Sequence, residues 1–313
     1  MESNKMAKFF SHPLIVVLGT LITTAFWGSA VPIIKLGYSY SLPSTDIPSM
    51  ILFAGARFFV AGIITVAFYS ILKRRIVMPT RSSIGGIMAI GGFQTVLQYV
   101  FYYIGLANTT GVKGAIASGV NPFFDLLFAT LIFRQERLTP KKILAVAVGF
   151  SGIVIANLKG ITLDVNFLGD GFVLLSAVFY SVSIVLVKHC SEREEPMVIT
   201  GYQFLFGGAV MIIIGLISGG KVVFNTPASA IIFVYLSVSI AVAYIIWSYL
   251  LKYNPVTRVS VFYFMTPIFG VLFSRMIFPN DTGFEPLNIT LALVLFTIAI
   301  VMLNYTPKKD RLK

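Results

Sequence analysis

Two charges stand in sequence that is otherwise apolar. Arg57 sits in residues 49–72, SMILFAGARFFVAGIITVAFYSIL, which hold no other charge, and Asp125 lies deep in residues 112–133. A charged side chain near a bilayer centre costs at least about 2.5–3.5 kcal/mol, so each demands a reason. Arg57 could bind an anionic group of a ligand. Asp125 could bind a cation or a proton, with Arg57 tuning it. The pair could equally be static, a buried ion pair that holds helices together. At 1.5 Å rise per residue, helices entering from the same surface would place Arg57 about 12 Å and Asp125 about 20 Å deep, a difference that two side chains could bridge.

A second group is uncharged. Gln94, Gln98 and Tyr102 recur at helical spacing and share one face of an apolar helix. Such a face lines a cavity or supplies hydrogen bonds between helices. Trp27 and Tyr180 lie in mid-span, away from the interfacial belts where aromatic residues with a polar edge collect. They suit a ligand-facing pair for aromatic or cationic groups, or plain core packing. Pro122 and Pro267 interrupt two further apolar runs and would act as hinges or as static kinks.

The elements that carry these residues are membrane spans. Of 313 residues, 57% are hydrophobic and 12% are charged. Ordinary soluble domains run about 45–50% apolar and about 25% charged. At about 20 residues per span, ten runs qualify: 14–37, 49–72, 83–106, 112–133, 142–158, 169–188, 197–218, 228–251, 257–278 and 287–305. All are expected to be helices, because an open strand edge in lipid leaves backbone groups unsatisfied. Tight hairpins are expected at ANTTGV (107–112) and at KYNPVT (252–257). Lys5 and Lys8 precede the first run as in a signal peptide, but no small-residue cleavage site follows, so an uncleaved first span is expected.

The net charge of +12 does not imply nucleic acid, because the basic residues cluster in short segments between apolar runs. Lys73, Arg74, Arg75 and Arg81, then Arg134, Arg137, Lys141 and Lys142, then Lys188, Arg193, Lys252, Arg258 and the C-terminal lysines all fall on one side. The positive-inside rule makes that side, and both termini, cytoplasmic in a multi-pass protein of the cell membrane. Lys35, Lys113, Lys188 and Arg258, at span ends, are expected to snorkel to headgroups. Cys190 is the only cysteine and there are two histidines, so neither an intrachain disulfide nor a histidine metal site is expected. No phosphate loop, zinc pair or nucleophile elbow is present, and no cofactor is expected.

The chain repeats itself. YYIGLANTTGVKGAIASGVNPFF (102–124) aligns without a gap to WSYLLKYNPVTRVSVFYFMTPIF (247–269). AFWGSAVPIIK (25–35) aligns to VFYSVSIVLVK (178–188), which pairs Trp27 with Tyr180, and RFFVAG (57–62) aligns to QFLFGG (203–208), which pairs Arg57 with Gln203. Asp125 falls opposite Gly270. An odd-numbered repeat of membrane helices must be inverted, and inverted repeats mark secondary transporters with a site near the midplane. The expected fold is all-α, ten transmembrane helices as two inverted five-helix repeats, 1–158 and 159–313. The repeat places Tyr244 and Trp247 on the partner span, which corresponds to the third helix. The candidate substrate-binding set is Trp27, Arg57, Gln94, Gln98, Tyr102, Asn121, Asp125, Tyr180, Gln203, Tyr244, Trp247 and Tyr263.

FWGS in the first span, Arg-Phe in the second, GLANTTGVKGAIASGVNPFFDLLFATLIFRQERLTP across the third and fourth, and GFSGIVIAN in the fifth resemble the EamA-type family of the drug/metabolite transporter superfamily. In that family the fourth span ends in Gly-Glu, a basic residue and Leu-Thr; here Gln135 replaces the glycine, and in the second copy Asp281 alone keeps the acid. The resemblance implies two inverted bundles around a central cavity, lined by the first four helices of each half. The fifth and tenth helices would lie outside, where relatives often oligomerise, and the small residues Ala145, Gly149 and Gly152 would permit close contact there, as in a homodimer. The expected function is a secondary transporter, exporting a small-molecule metabolite or drug by alternating access. The alternatives are a channel or structural membrane protein, and a membrane-embedded lipid enzyme, which would want clustered His, Asp, Glu or Ser within the spans. An enzyme is not expected.

Overall fold

A computed structural model describes residues 2–158, 166–278 and 286–304. Among these residues there is no strand. A short N-terminal helix, Glu2–Phe10, is followed by ten long ones. They are α1 (Pro13–Ser41), α2 (Ile47–Lys73), α3 (Arg81–Ala107), α4 (Lys113–Ile132), α5 (Pro140–Ala156), α6 (Phe167–Cys190), α7 (Pro196–Ile217), α8 (Pro227–Tyr253), α9 (Val256–Ile277) and α10 (Pro286–Asn304). Nine are long and apolar enough to cross a membrane; α5, with 17 residues, still reaches about 25 Å at 1.5 Å per residue.

Local chemistry sets the ends. The side chain of Asp46 accepts from the Ser49 amide (2.8 Å) and starts α2, with Pro48 in the first turn where no amide is needed. Thr139–Pro140 and Thr226–Pro227 start α5 and α8 in the same way. The two expected hairpins are present, Asn108–Thr110 between α3 and α4 and Asn254–Pro255 between α8 and α9. The N-terminal helix was not expected. Phe10 stacks on Tyr249 and Tyr253 (4.9 and 5.9 Å), and Asn254 Nδ2 donates to the Phe10 carbonyl, so the segment is fastened to the end of α8.

The packing is that of an inverted pair. The second helices of the two halves, α2 and α7, form the most extensive interface, and the fifth helices, α5 and α10, form the next. The next largest contacts come in mates. α1 packs on α8 and α9, while α6 packs on α3 and α4; α2 also meets α8, while α7 meets α3. Glycines draw α2 and α7 together. A Cβ added at Gly62 would lie 2.7 Å from the Leu205 amide nitrogen, and one at its repeat mate Gly208 would lie 2.5 Å from that of Phe59. Such close backbone approach maximises van der Waals contact where lipid offers no hydrophobic drive. On α5, the small face is filled by this chain's own rings: Cβ atoms at Gly149 and Gly152 would strike Phe264 and Phe296. The expected boundary between repeats, 158/159, falls at the edge of 159–165, and Asp281 falls in 279–285; both segments lie outside the described residues.

The fourth helix of each half is broken at the same place. In α4 the helix stops at Ser118, turns through Gly119 and Val120, and resumes at Asn121–Leu127 with Pro122 in its first turn. In α9 a 3-10 stretch, Val261–Phe264, separates Val256–Ser260 from Met265–Ile277, with Pro267 in the first turn of the later segment. Proline removes the amide that would close the preceding turn. Helix α3 carries a π segment, Gly91–Leu97, so the even spacing expected of Gln94, Gln98 and Tyr102 does not hold through it.

Candidate functional site

The core between the halves is aromatic and pseudo-symmetric. Phe58 of α2 stacks on its repeat mate Phe204 of α7 (5.3 Å). Phe58 also meets Tyr99 of α3 (4.7 Å), and Phe204 meets Tyr244 of α8 (5.1 Å), which is the mate of Tyr99. Trp27 of α1 then packs on Tyr244, Trp247 and Tyr263 (5.4, 4.8 and 5.9 Å), and Tyr263 packs on Tyr180 of α6 (5.7 Å). The rings thus form one continuous column from Phe58 to Tyr180.

Arg57 and Asp125 lie at opposite ends of this column. Both are buried, at 1% and 0% exposure. The guanidinium of Arg57 lies against the rings of Phe53 and Phe58, 5.6 and 5.7 Å from their centroids. Desolvated cation–π contacts are worth about 2 kcal/mol or more, which offsets much of the roughly 2.5–3.5 kcal/mol cost of a buried charge. Its Nε has no hydrogen-bond partner. Asp125 sits beside the hydroxyls of Ser181 of α6 and Ser260 of α9 and near Tyr180 and Tyr263, yet neither carboxylate oxygen is hydrogen-bonded. No ion pair joins it to Arg57, so the static pair allowed by their depths does not form. Depth along a helix ignores lateral position: α2 packs on α7, α8 and α3, whereas α4 packs on α6, α9 and α5.

Eight of the twelve expected site residues carry a buried polar atom without a partner: Trp27 Nε1, Arg57 Nε, Gln98 Oε1, Asn121 Oδ1, both oxygens of Asp125, Tyr180 Oη, Gln203 Nε2 and Trp247 Nε1. Trp27, Tyr180, Tyr244, Trp247 and Tyr263 are brought together by the column. Gln203 is joined to α3, where its Oε1 accepts from Thr95 Oγ1 (2.8 Å). Tyr102 packs on Tyr103 and lies near Ser118 at the break in α4. Gln94 is buried within the π segment and joins none of these ring contacts. Tyr99, Phe58, Phe204, Ser181 and Ser260 were missed. Extending the third-helix alignment by three residues finds Tyr99, and Phe58 and Phe204 stand inside the quoted second-helix alignment; Ser181 and Ser260 carry no signal of their own.

Beyond Asp125 the basic end of the bundle is laced by polar contacts. Glu136 accepts from the Thr257 amide (3.1 Å) and hydroxyl (2.5 Å) at the start of α9 and from Lys142 Nζ (2.7 Å). This is a helix-capping role, as its position near a helix end suggests. Lys188 does not snorkel outward: its Nζ donates to the carbonyls of Leu251 and Asn254 (2.9 and 2.6 Å) at the end of α8. Arg258 likewise binds Asn254 and Asn304. Lys113, at the other end, lies 3.6 Å from Asp170, and Lys35 lies over the ring of Phe278. Lys188 and Arg258 hydrogen-bond inward, to helix-end carbonyls and asparagine side chains, while Lys113 turns to a carboxylate and Lys35 to a ring face.

Known proteins resemble this arrangement in sequence and in fold. The EamA-like transporter family matches residues 14–158 and 167–305, one segment on each half. An uncharacterized transporter of Archaeoglobus fulgidus is 25% identical over 260 residues, which cover 81% of this chain and 86% of that protein. The WAT1-related protein At3g02690, chloroplastic, of Arabidopsis thaliana is 26% identical over 300 residues, 91% of this chain and 68% of that one. One crystal structure superposes with a TM-score of 0.72 over 93% of this chain and 98% of the other at 18% identity, a likeness of fold. With both halves matched and the inverted packing in place, this multi-pass membrane chain belongs to the EamA-like transporter family of the drug/metabolite transporter superfamily.

Proposed function

We propose that the protein is a secondary transporter that exports a small metabolite or drug across the cell membrane by alternating access, with both termini cytoplasmic. One observation carries this reading. Unpartnered buried polar atoms gather along the aromatic column between the two halves, from Arg57 Nε to the Asp125 carboxylate. Buried polar groups are ordinarily satisfied, so such a concentration marks a place where something else supplies the partner. The half-buried rings of Trp27 and Tyr263 offer faces for a flat group of the substrate, and Arg57 offers an anchor for an anionic one. The paired breaks in α4 and α9 supply hinges, with Pro122 and Pro267 fixing where the two segments of each helix part.

The test is flux through liposomes that contain the purified chain, with substrates first found by thermal shift against a metabolite library. A compound at 100 times its Kd adds about 2.7 kcal/mol of stability. Saturable flux with counterflow is expected. Non-saturable flux would indicate a channel, and absence of any flux or thermal shift would overturn the reading. Orientation rests on the basic face of the bundle. Cys190, the only thiol, ends α6 on that face. A membrane-impermeant maleimide is expected to label inside-out vesicles and to spare right-side-out ones; the reverse would invert every loop.

A further inference from the structure

Asp125 occupies an oxygen-lined pocket that the other half of the molecule lacks. Its neighbours Ser181 and Ser260 correspond in the repeat to Gly28 and Ala115, and Asp125 itself corresponds to Gly270. At the equivalent place in the second half, helices simply touch. A Cβ at Gly28 would lie 2.5 Å from Phe269 Cβ and 2.7 Å from the Gly270 nitrogen. The contact between a first and a fourth helix therefore needs no carboxylate. In the first half Ser181 Oγ donates to the Asn121 carbonyl at the break in α4 (3.3 Å), which leaves Asp125 Oδ1 and Oδ2, Asn121 Oδ1, Ser260 Oγ and Tyr180 Oη all buried and unpartnered.

Among the described residues no cation is paired with the carboxylate. On the elements packed against α4, Lys142 of α5 is bound to Glu136, Lys188 of α6 to the end of α8, and Arg258 of α9 to Asn254 and Asn304. The titratable groups that face Asp125 are Tyr180 of α6, Tyr263 of α9 and, towards the basic end, Glu136. A lone carboxylate in a dry interior is neutralised most simply by a proton. The pocket also touches the column directly, since Tyr180 and Tyr263 are shared between them.

We propose that Asp125 is a proton-binding site coupled to the aromatic site, taking up one proton on a carboxylate oxygen and releasing it once per transport cycle. Only that O–H bond forms and breaks, and the proton is exchanged with water at the two faces. This inference rests on the transporter reading above, but its test does not use transport, so the two can fail separately. The probe is the proton itself, titrated over purified full-length protein. Among the protonated-carboxyl bands that infrared difference spectra show at low pH, one is expected to be absent from Asp125→Asn, to persist in Glu136→Gln and to disappear as pH rises. The only two tryptophans, Trp27 and Trp247, both lie in the column. Their fluorescence is expected to titrate with the same midpoint and to become pH-independent in Asp125→Asn. Should that variant not fold, Ser260→Ala is expected to move both midpoints together by about one pH unit, tenfold in proton affinity. A set of bands left unchanged by Asp125→Asn overturns the proposal, as does a Ser260→Ala midpoint that stays put. An Asp125 band that titrates without the fluorescence overturns the coupling, and one displaced by sodium at fixed pH assigns the pocket to a metal cation instead.

Discussion

Phe58 and Phe204 meet face to face where the two repeats cross, and one residue before each the halves differ. The first half has Arg57 and the second has Gln203. Gln203 is met by an ordinary hydrogen bond from Thr95, whereas Arg57 is held by ring faces with its Nε free. The fourth helices repeat the pattern: Asp125 sits in a polar pocket, and Gly270 sits at a close helix contact. What the halves share is backbone approach and aromatic packing, the parts that build the bundle. What they do not share is the charge buried in mid-span. The scaffold is therefore symmetric, and the chemistry has been added to one side of it.

The sharpest way to break this comparison is at the shared scaffold. Gly62→Leu and Gly208→Leu each force a side chain into a neighbouring backbone. Each is expected to destabilise by about 1–3 kcal/mol or more and to lower folded yield, measured by thermal unfolding in detergent. Equal losses support a common interface; tolerance of one alone would end the claim of symmetry there.

Charge comes next. Arg57→Gln makes the first half resemble the second, and is expected to leave a folded protein with substrate affinity reduced at least tenfold, about 1.4 kcal/mol. The separation of the two charges is checked by Arg57→Gln combined with Asp125→Gly. Their stability effects should add within about 0.5 kcal/mol, because the two side chains make no contact with each other. A coupling above that would restore the buried ion pair.

Smaller effects are expected at the repeat-related aromatics. Trp27→Ala and Tyr180→Ala should each weaken substrate binding while most of the folded yield remains, read by isothermal titration and by size-exclusion chromatography. Poor expression with normal transport in the remaining protein would make these rings packing alone. The smallest change is Thr95→Val, which removes the bond to Gln203 and should cost about 0.5–1.5 kcal/mol with little effect on flux.

Much of this architecture was legible in the residues. Apolar runs of bilayer length define helices because a backbone in lipid must satisfy its own hydrogen bonds, a demand that acts locally along the chain. The inversion followed from the alignments, since five helices per repeat reverse the second copy. Contacts across the bundle were not legible. The docking of Phe10 on Tyr249, the filling of the α5 small face by Phe264 and Phe296, and the inward turn of Lys188 all depend on which surfaces meet.

The same division holds for the candidate site. Sequence alone determined that Arg57 and Asp125 are buried charges carried by one half, because their cost in lipid and their repeat mates can be read residue by residue. It also paired Trp27 with Tyr180. Only the tertiary structure decided that the two charges stand at opposite ends of an aromatic column instead of touching. Depth in a membrane is a property of one helix and follows from counting residues. The lateral distance between two helices depends on which faces pack and on the glycines that let α2 lie against α7, and no one-dimensional pattern encodes it.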